Sequence, residues 1–111
     1  MGESMTEFQG GGVRDSQEGK PRFDLLLEDR VPYEHRFLTR FARRMAEGAE
    51  KYEAKNWQKF SDQKALDRAR ASALRHMMQF LAGETDEEHD VAAAFNLMAA
   101  SYIKGRIEGR W

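Results

Sequence analysis

Between Val91 and Ile103 the chain reads VAAAFNLMAASYI, and only Asn96 and Ser101 break its apolar character. A helix with no wet face does not stand at a protein surface. It lies at the centre of a bundle or in an interface between subunits. The rest of the chain must therefore supply partners for it. The spacing predicts a helix over about 86–104, opened by a Thr85/Glu88 capping box and ended by Gly105 and Gly109. Upstream, Leu66, Ala69, Ala73, Met77 and Phe80 step by three and four, which predicts a second helix over about 62–82. Ser61 is its expected N-cap and Gly83 its C-cap residue. Phe37, Leu38, Phe41, Met45, Ala49 and Tyr52 predict a first helix over about 32–53, with Pro32 in its first turn. No repeat and no strand-like alternation is visible. The expected fold class is all-α: a small helical bundle assembled as an oligomer.

With 111 residues the chain suits one domain, and a monomer of this size is marginally stable alone, which favours association. Residues 1–4 are read as a remnant ahead of a second methionine, Met5, and stay outside the fold reasoning. Residues 5–30 are read as an N-terminal arm, rich in Gly and charge, with Phe23, Leu25, Leu26 and Leu27 anchoring it. The helical domain is then 31–111. Net charge is −1 and the pI about 6.3, so no global basic field argues for nucleic acid as a partner. Arg36, Arg40, Arg43 and Arg44 cluster on one helical side, but Glu47 and Glu50 share it and would repel phosphate unless a cation intervened. The absence of cysteine excludes disulfides, zinc–thiolate sites and thiol nucleophiles. No apolar run is long enough to span a membrane. No charged-then-apolar leader opens the chain, so a cytoplasmic location is the default.

Two carboxylate pairs carry the chemistry. Glu47 and Glu50 are three apart in the first helix, one turn of helix from each other, so their side chains can point at a common spot. Gly48 between them permits close approach of another group, at a cost of about 1 kcal/mol against alanine. Glu87 and Asp90 repeat the spacing at the start of the third helix, and Asp90 continues the stripe of Ala94 and Leu97. Two like charges 4 Å apart cost roughly 4 kcal/mol at an effective dielectric of about 20. Four converging acids therefore imply a cation, and a hard ion such as Mg²⁺ in turn implies a phosphate-bearing ligand. Taken singly, each pair also has a plain structural use. Glu47 lies four after Arg43, and acids in a first turn complement the helix dipole.

Lys20, Arg22, Lys51, Lys55 and Arg75 are candidate phosphate contacts, each otherwise a solvated charge. Trp57 could stack on a purine or serve as a core tryptophan, and Asn56 could read a base edge or cap a helix. His76 and His89 are read as structural. The arm stretch GGVRDSQEGK imitates a phosphate loop, but Gly19-Lys20 is followed by Pro21 and no strand precedes it, so that motif is rejected.

E47-x-x-E50 followed by E87-x-x-D90 resembles the metal-binding motif of the MazG-like all-α nucleoside triphosphate pyrophosphohydrolases. GAEKYEAKNW (48–57), RHMMQFLAGE (75–84) and GGVRDSQEGKPRFDLL (11–26) look like the phage branch of that superfamily, the dATP/dGTP diphosphohydrolases. The resemblance covers most of 7–103. It implies cleavage of dGTP or dATP between the α and β phosphates, giving the monophosphate and pyrophosphate, and a homo-oligomer (dimer or tetramer) with no nucleic-acid or membrane partner. It implies that Glu47, Glu50, Glu87 and Asp90 hold two or more Mg²⁺ or Mn²⁺ ions, with Glu50 alternatively orienting the water. Its gap between the two motifs is long and His89 stands inside the second, which leaves Glu88 beside Glu87 as the third ligand. The helix count favours Glu87. The competing expectation is a non-catalytic helical dimerising regulator, which would use the apolar helix for pairing and the acids for solvation.

Overall fold

A computed structural model describes residues 5–16 and 18–111, so the remnant reading of 1–4 lies outside the described residues. The chain divides into two compact units, 1–30 and 31–111.

Within the first unit, β1 (Met5–Glu7) pairs antiparallel with β2 (Val13–Asp15), in the register Met5 with Asp15 and Glu7 with Val13. Gly10 and Gly11 sit at φ 98° and 86°, a conformation that costs side-chain-bearing residues and leaves glycine free, so the chain reverses there. The expectation of a strand-free chain is thus corrected by this hairpin. Both strands are exposed along their whole length, so no burial pattern betrays them. Phe23–Leu26 form one 3-10 turn, with Phe23 and Leu25 exposed.

The second unit is helical. Three helices make it up: α1 (Phe37–Lys51), α2 (Gln63–Leu81) and α3 (His89–Ile107). α1 begins five residues later than the spacing predicts. Pro32 caps a separate 3-10 turn, Tyr33–His35, and Arg36 is extended at ψ 144°, which breaks the helical run before Phe37. Asp62 rather than Ser61 caps α2, its Oδ1 accepting from the Ala65 amide at 2.8 Å. At the other end Gly83, at φ 82°, closes a Schellman motif: the Glu84 amide donates to Gln79 O and the Gly83 amide to Phe80 O. α3 starts later and ends later than expected. Glu88 is its N-cap residue without a side-chain cap bond, so the Thr85 capping box does not form. Gly105 lies inside the helix, and the same Schellman pairing recurs only at Gly109, where Arg110 N donates to Gly105 O.

α3 is the element the others share, as its all-round apolar surface requires. α2, α1 and the 3-10 turn Asn56–Lys59 all pack on it. Leu66 and Ala69 of α2 meet Ala100 and Ile103 of α3 in the core, with Ala65 beside them. Alanines on the α3 side allow the two helices to approach closely, and burying Ile103 contributes about 2 kcal/mol. α1 is different in kind. Among the described residues none of its side chains is buried.

Candidate functional site

Arg40 and Arg44 stand one turn apart on α1 and face the acids around the start of α3. The Arg40 guanidinium donates from Nη1 to Glu88 Oε2 at 2.7 Å and to Asp90 Oδ1 at 3.0 Å, and from Nη2 to Asp90 Oδ2 at 2.8 Å. This is the bidentate fork that suits arginine to a carboxylate. Arg44 and Glu87 form a looser pair at 3.5 Å. Arg43 reaches back to the Glu34 carbonyl at 3.2 Å. The hydrogen bond from Arg40 lowers the Asp90 carboxyl from its ordinary value, against the opposing effect of burial. The same bond raises the Arg40 guanidinium further. Arg40, Arg43, Arg44 and Glu47 of α1 and Glu87 and Glu88 border a small cleft of about 240 Å³.

A larger cleft of about 590 Å³ opens on the other side of Glu47. That volume suits a small-molecule ligand. Its walls include Glu47, Gly48, Lys51, Lys55, Asn56 and Trp57, with Phe95 of α3 behind them. Lys55 adopts the left-handed conformation, φ 58°, which turns the chain from α1 into the 3-10 turn that carries Asn56 and Trp57. The Trp57 ring then lies edge-on to Tyr102 at 5.2 Å and to Phe95 at 6.5 Å. Trp57 thus packs on α3 and also lines the cleft. A Cβ at Gly48 would meet nothing, so the cleft wall is open at that point.

The four acids do not gather at one point. Glu47 and Glu87 border the same small cleft, Asp90 is engaged by Arg40, and Glu50 is exposed and lines neither cleft. The helical spacing used to favour Glu87 does not apply, because α3 starts only at His89 and Glu87 belongs to the preceding loop. Glu88 and Asp90 are the two that share a partner. Lys51, Lys55, Asn56 and Trp57 all line the larger cleft. Arg75 lies on α2, its Nη2 3.4 Å from His76 Nε2. Lys20 and Arg22 belong to the first unit, where Arg22 is bound to Asp24 at 2.7 Å. Carboxylates and guanidiniums alternate around the small cleft, so the acids there are balanced by arginine charge, and carboxylate oxygens are the donor type a hard cation takes.

His76 and His89, read as structural from the sequence, lie against each other. Both are buried, 6 % and 2 % exposed, and their Nδ1 atoms face each other at 2.9 Å. His89 Nε2 donates to Asp86 Oδ1 at 2.7 Å. Burial pushes the His76 imidazole below its usual value, against the opposing effect of Glu87. Their thirteen-residue separation carries no helical signal, since it crosses from α2 into α3.

The fold and clefts define a small helical protein with a ligand-sized surface cleft. Residues 11–109 match the family model described as dATP/dGTP diphosphohydrolase, N-terminal. The match takes in nearly the whole chain, and the protein belongs to that family. It is thereby a diphosphohydrolase by family, with a nucleotide as substrate. No curated protein and no solved structure matches the chain. Among the described residues no helix is long and apolar enough to cross a membrane.

Proposed function

We propose that the protein hydrolyses purine deoxynucleoside triphosphates, dGTP and dATP, between the α and β phosphates in a metal-dependent reaction that yields the monophosphate and pyrophosphate. The single observation that carries this reading is the cleft at Glu47, where a carboxylate, two lysines, an asparagine and a tryptophan line one ligand-sized space in a chain of this family. The sequence resemblance to MazG-like enzymes, and within them to the phage enzyme MazZ, supports the finer reading. It also supports a role in supplying dGMP and draining dATP in phages whose DNA carries 2-aminoadenine, in the host cytoplasm.

In this reading Lys51 and Lys55 bind the phosphates, while Trp57 offers a face to the purine and Asn56 an edge contact. Lys20, Arg22 and Arg75 are further phosphate candidates by charge alone. Glu47, Glu87 and Asp90 would hold Mg²⁺ or Mn²⁺, with Glu50 or Glu88 completing the set. When bound, such ions supply an activated water near neutral pH and neutralise charge on the pyrophosphate. Arg40 and Arg44, which hold these acids in the structure, would be available to phosphate oxygens where a cation takes their place. The homo-oligomer implied by the resemblance remains part of the proposal.

Pyrophosphate release from each common deoxynucleoside triphosphate, with Mg²⁺ or Mn²⁺ added, tests the reading. Turnover of dGTP or dATP is expected, and Glu47→Gln should cut it about a hundredfold or more with the helical signal intact. No release from any of the nucleotides overturns the assignment. Glu50→Gln decides a narrower point, since full activity there removes Glu50 from the site.

A further inference from the structure

We propose that His76, His89 and Glu87 form a site for a divalent transition-metal ion of the zinc type, between α2 and the start of α3, with Asp86 as the positioning residue of His89.

Two buried imidazoles meet here through their Nδ1 atoms, with the rings tilted by 34°. Each brings polar nitrogens that cost free energy unless they are matched. The bonds made around them fix the protons. Arg75 donates toward His76 Nε2, so His76 carries its proton on Nδ1. His89 donates from Nε2 to Asp86, so its Nδ1 is the acceptor. The His89 lone pair thus points at His76, and the carboxylate behind His89 fixes its tautomer. A carboxylate holding the far nitrogen of a ligating histidine is the usual outer support of a metal site.

The spacing is that of two ligands on one ion. Two nitrogens each about 2.0–2.1 Å from a tetrahedral zinc ion lie about 3.3 Å apart. The observed 2.9 Å between the Nδ1 atoms needs only a slight opening of the rings. A Glu87 oxygen lies within 4.8 Å of a nitrogen of each histidine and supplies the third donor. Binding moves the His76 proton from Nδ1 to Nε2, and the exposed Arg75 swings away. No proton is lost and no electron moves.

Imidazole donors select zinc-like ions over magnesium. This site is therefore distinct in metal preference from the acids along α1, with Glu87 the one residue common to both. It would tie the end of α2 to the start of α3 whichever nucleotide is cut.

Chelator-stripped protein titrated with Co²⁺, without and then with Mg²⁺, provides the test, because Co²⁺ held by two imidazoles resists displacement by Mg²⁺ whereas Co²⁺ on carboxylates alone does not. One Co²⁺ per chain is expected, with visible ligand-field bands that Zn²⁺ abolishes. His76→Leu and His89→Leu should remove the bands, with circular dichroism reporting the helices. Asp86→Asn and Glu87→Gln should each weaken binding about tenfold or more. These two side chains are 68 % and 45 % exposed, so they carry the test if the buried variants do not fold. Absent bands in the wild type, bands that survive in folded His76→Leu, or binding indifferent to both Asp86→Asn and Glu87→Gln overturn the proposal. Pyrophosphate release plays no part in this readout, so the hydrolase reading and the zinc-type site stand or fall separately.

Discussion

Arg40 engages two acids through one planar group, and its side chain is 21 % exposed against 24 % for Asp90. Solvent therefore screens the pair in part, and geometry rather than burial gives it strength. Arg40→Met should cost about 1 kcal/mol at neutral pH in urea denaturation. The native carboxyl of Asp90 titrates lower than in the unfolded chain. Its contribution is therefore fully present above the unfolded value, about pH 4, and drains away as pH falls through the lower native value. The difference between wild type and Arg40→Met should accordingly shrink in acid. A constant difference down to about pH 2 would show that Arg40 acts through packing rather than charge.

Helix existence was readable because three stripes at spacings of three and four have no competing pattern. Helix ends were readable where a residue has one conformational use. Gly83 and Gly109 are such residues, each at positive φ in a Schellman closure. Gly105 misled because it looks like a stop, yet it is buried within α3 for a packing reason. A Cβ at Gly105 would run into the indole of Trp111, whose Nε1 donates to the Tyr102 carbonyl at 3.0 Å. Gly105→Ala should gain about 1 kcal/mol of helix propensity and displace that indole. Net stability should change little, while Trp111 fluorescence, read in a Trp57→Phe background, shifts to the red. An unshifted spectrum would mean that the ring adjusts in place. The candidate site was legible to the same degree. Lys51, Lys55, Asn56 and Trp57 are close in sequence, so their grouping at one cleft follows from a single turn. The partners of Asp90 and His89 lie on other helices, and side-chain pairing at that range leaves no spacing to read.

At the scale of the whole molecule, apolar surface is left over. Leu74, Met77, Met78 and Leu81 of α2 are each between 46 % and 70 % exposed. They recur at i, i+3, i+4 and i+7, so they form one stripe. Leu97 of α3 is 66 % exposed as well. A stripe of this kind on a small domain is ordinarily covered by another chain. Sedimentation of the wild type should show a homo-oligomer, and Leu74→Glu with Met78→Glu should lower its mass to that of one chain. A monomeric wild type at micromolar concentration would remove the association from the proposal.

No side chain of α1 is fully buried, and beside its half-buried Phe37, Phe41 and Met45 the helix is tied to the acids around the start of α3 through Arg40 and Arg44. Such seating weakens as added salt shortens the reach of each pair toward a few ångströms. In the proposed reading a triphosphate would compete for the same guanidiniums, and a cation for the same carboxylates. The docking of α1 and the capture of a nucleotide would then be two sides of one equilibrium, and ionic strength would tune both together.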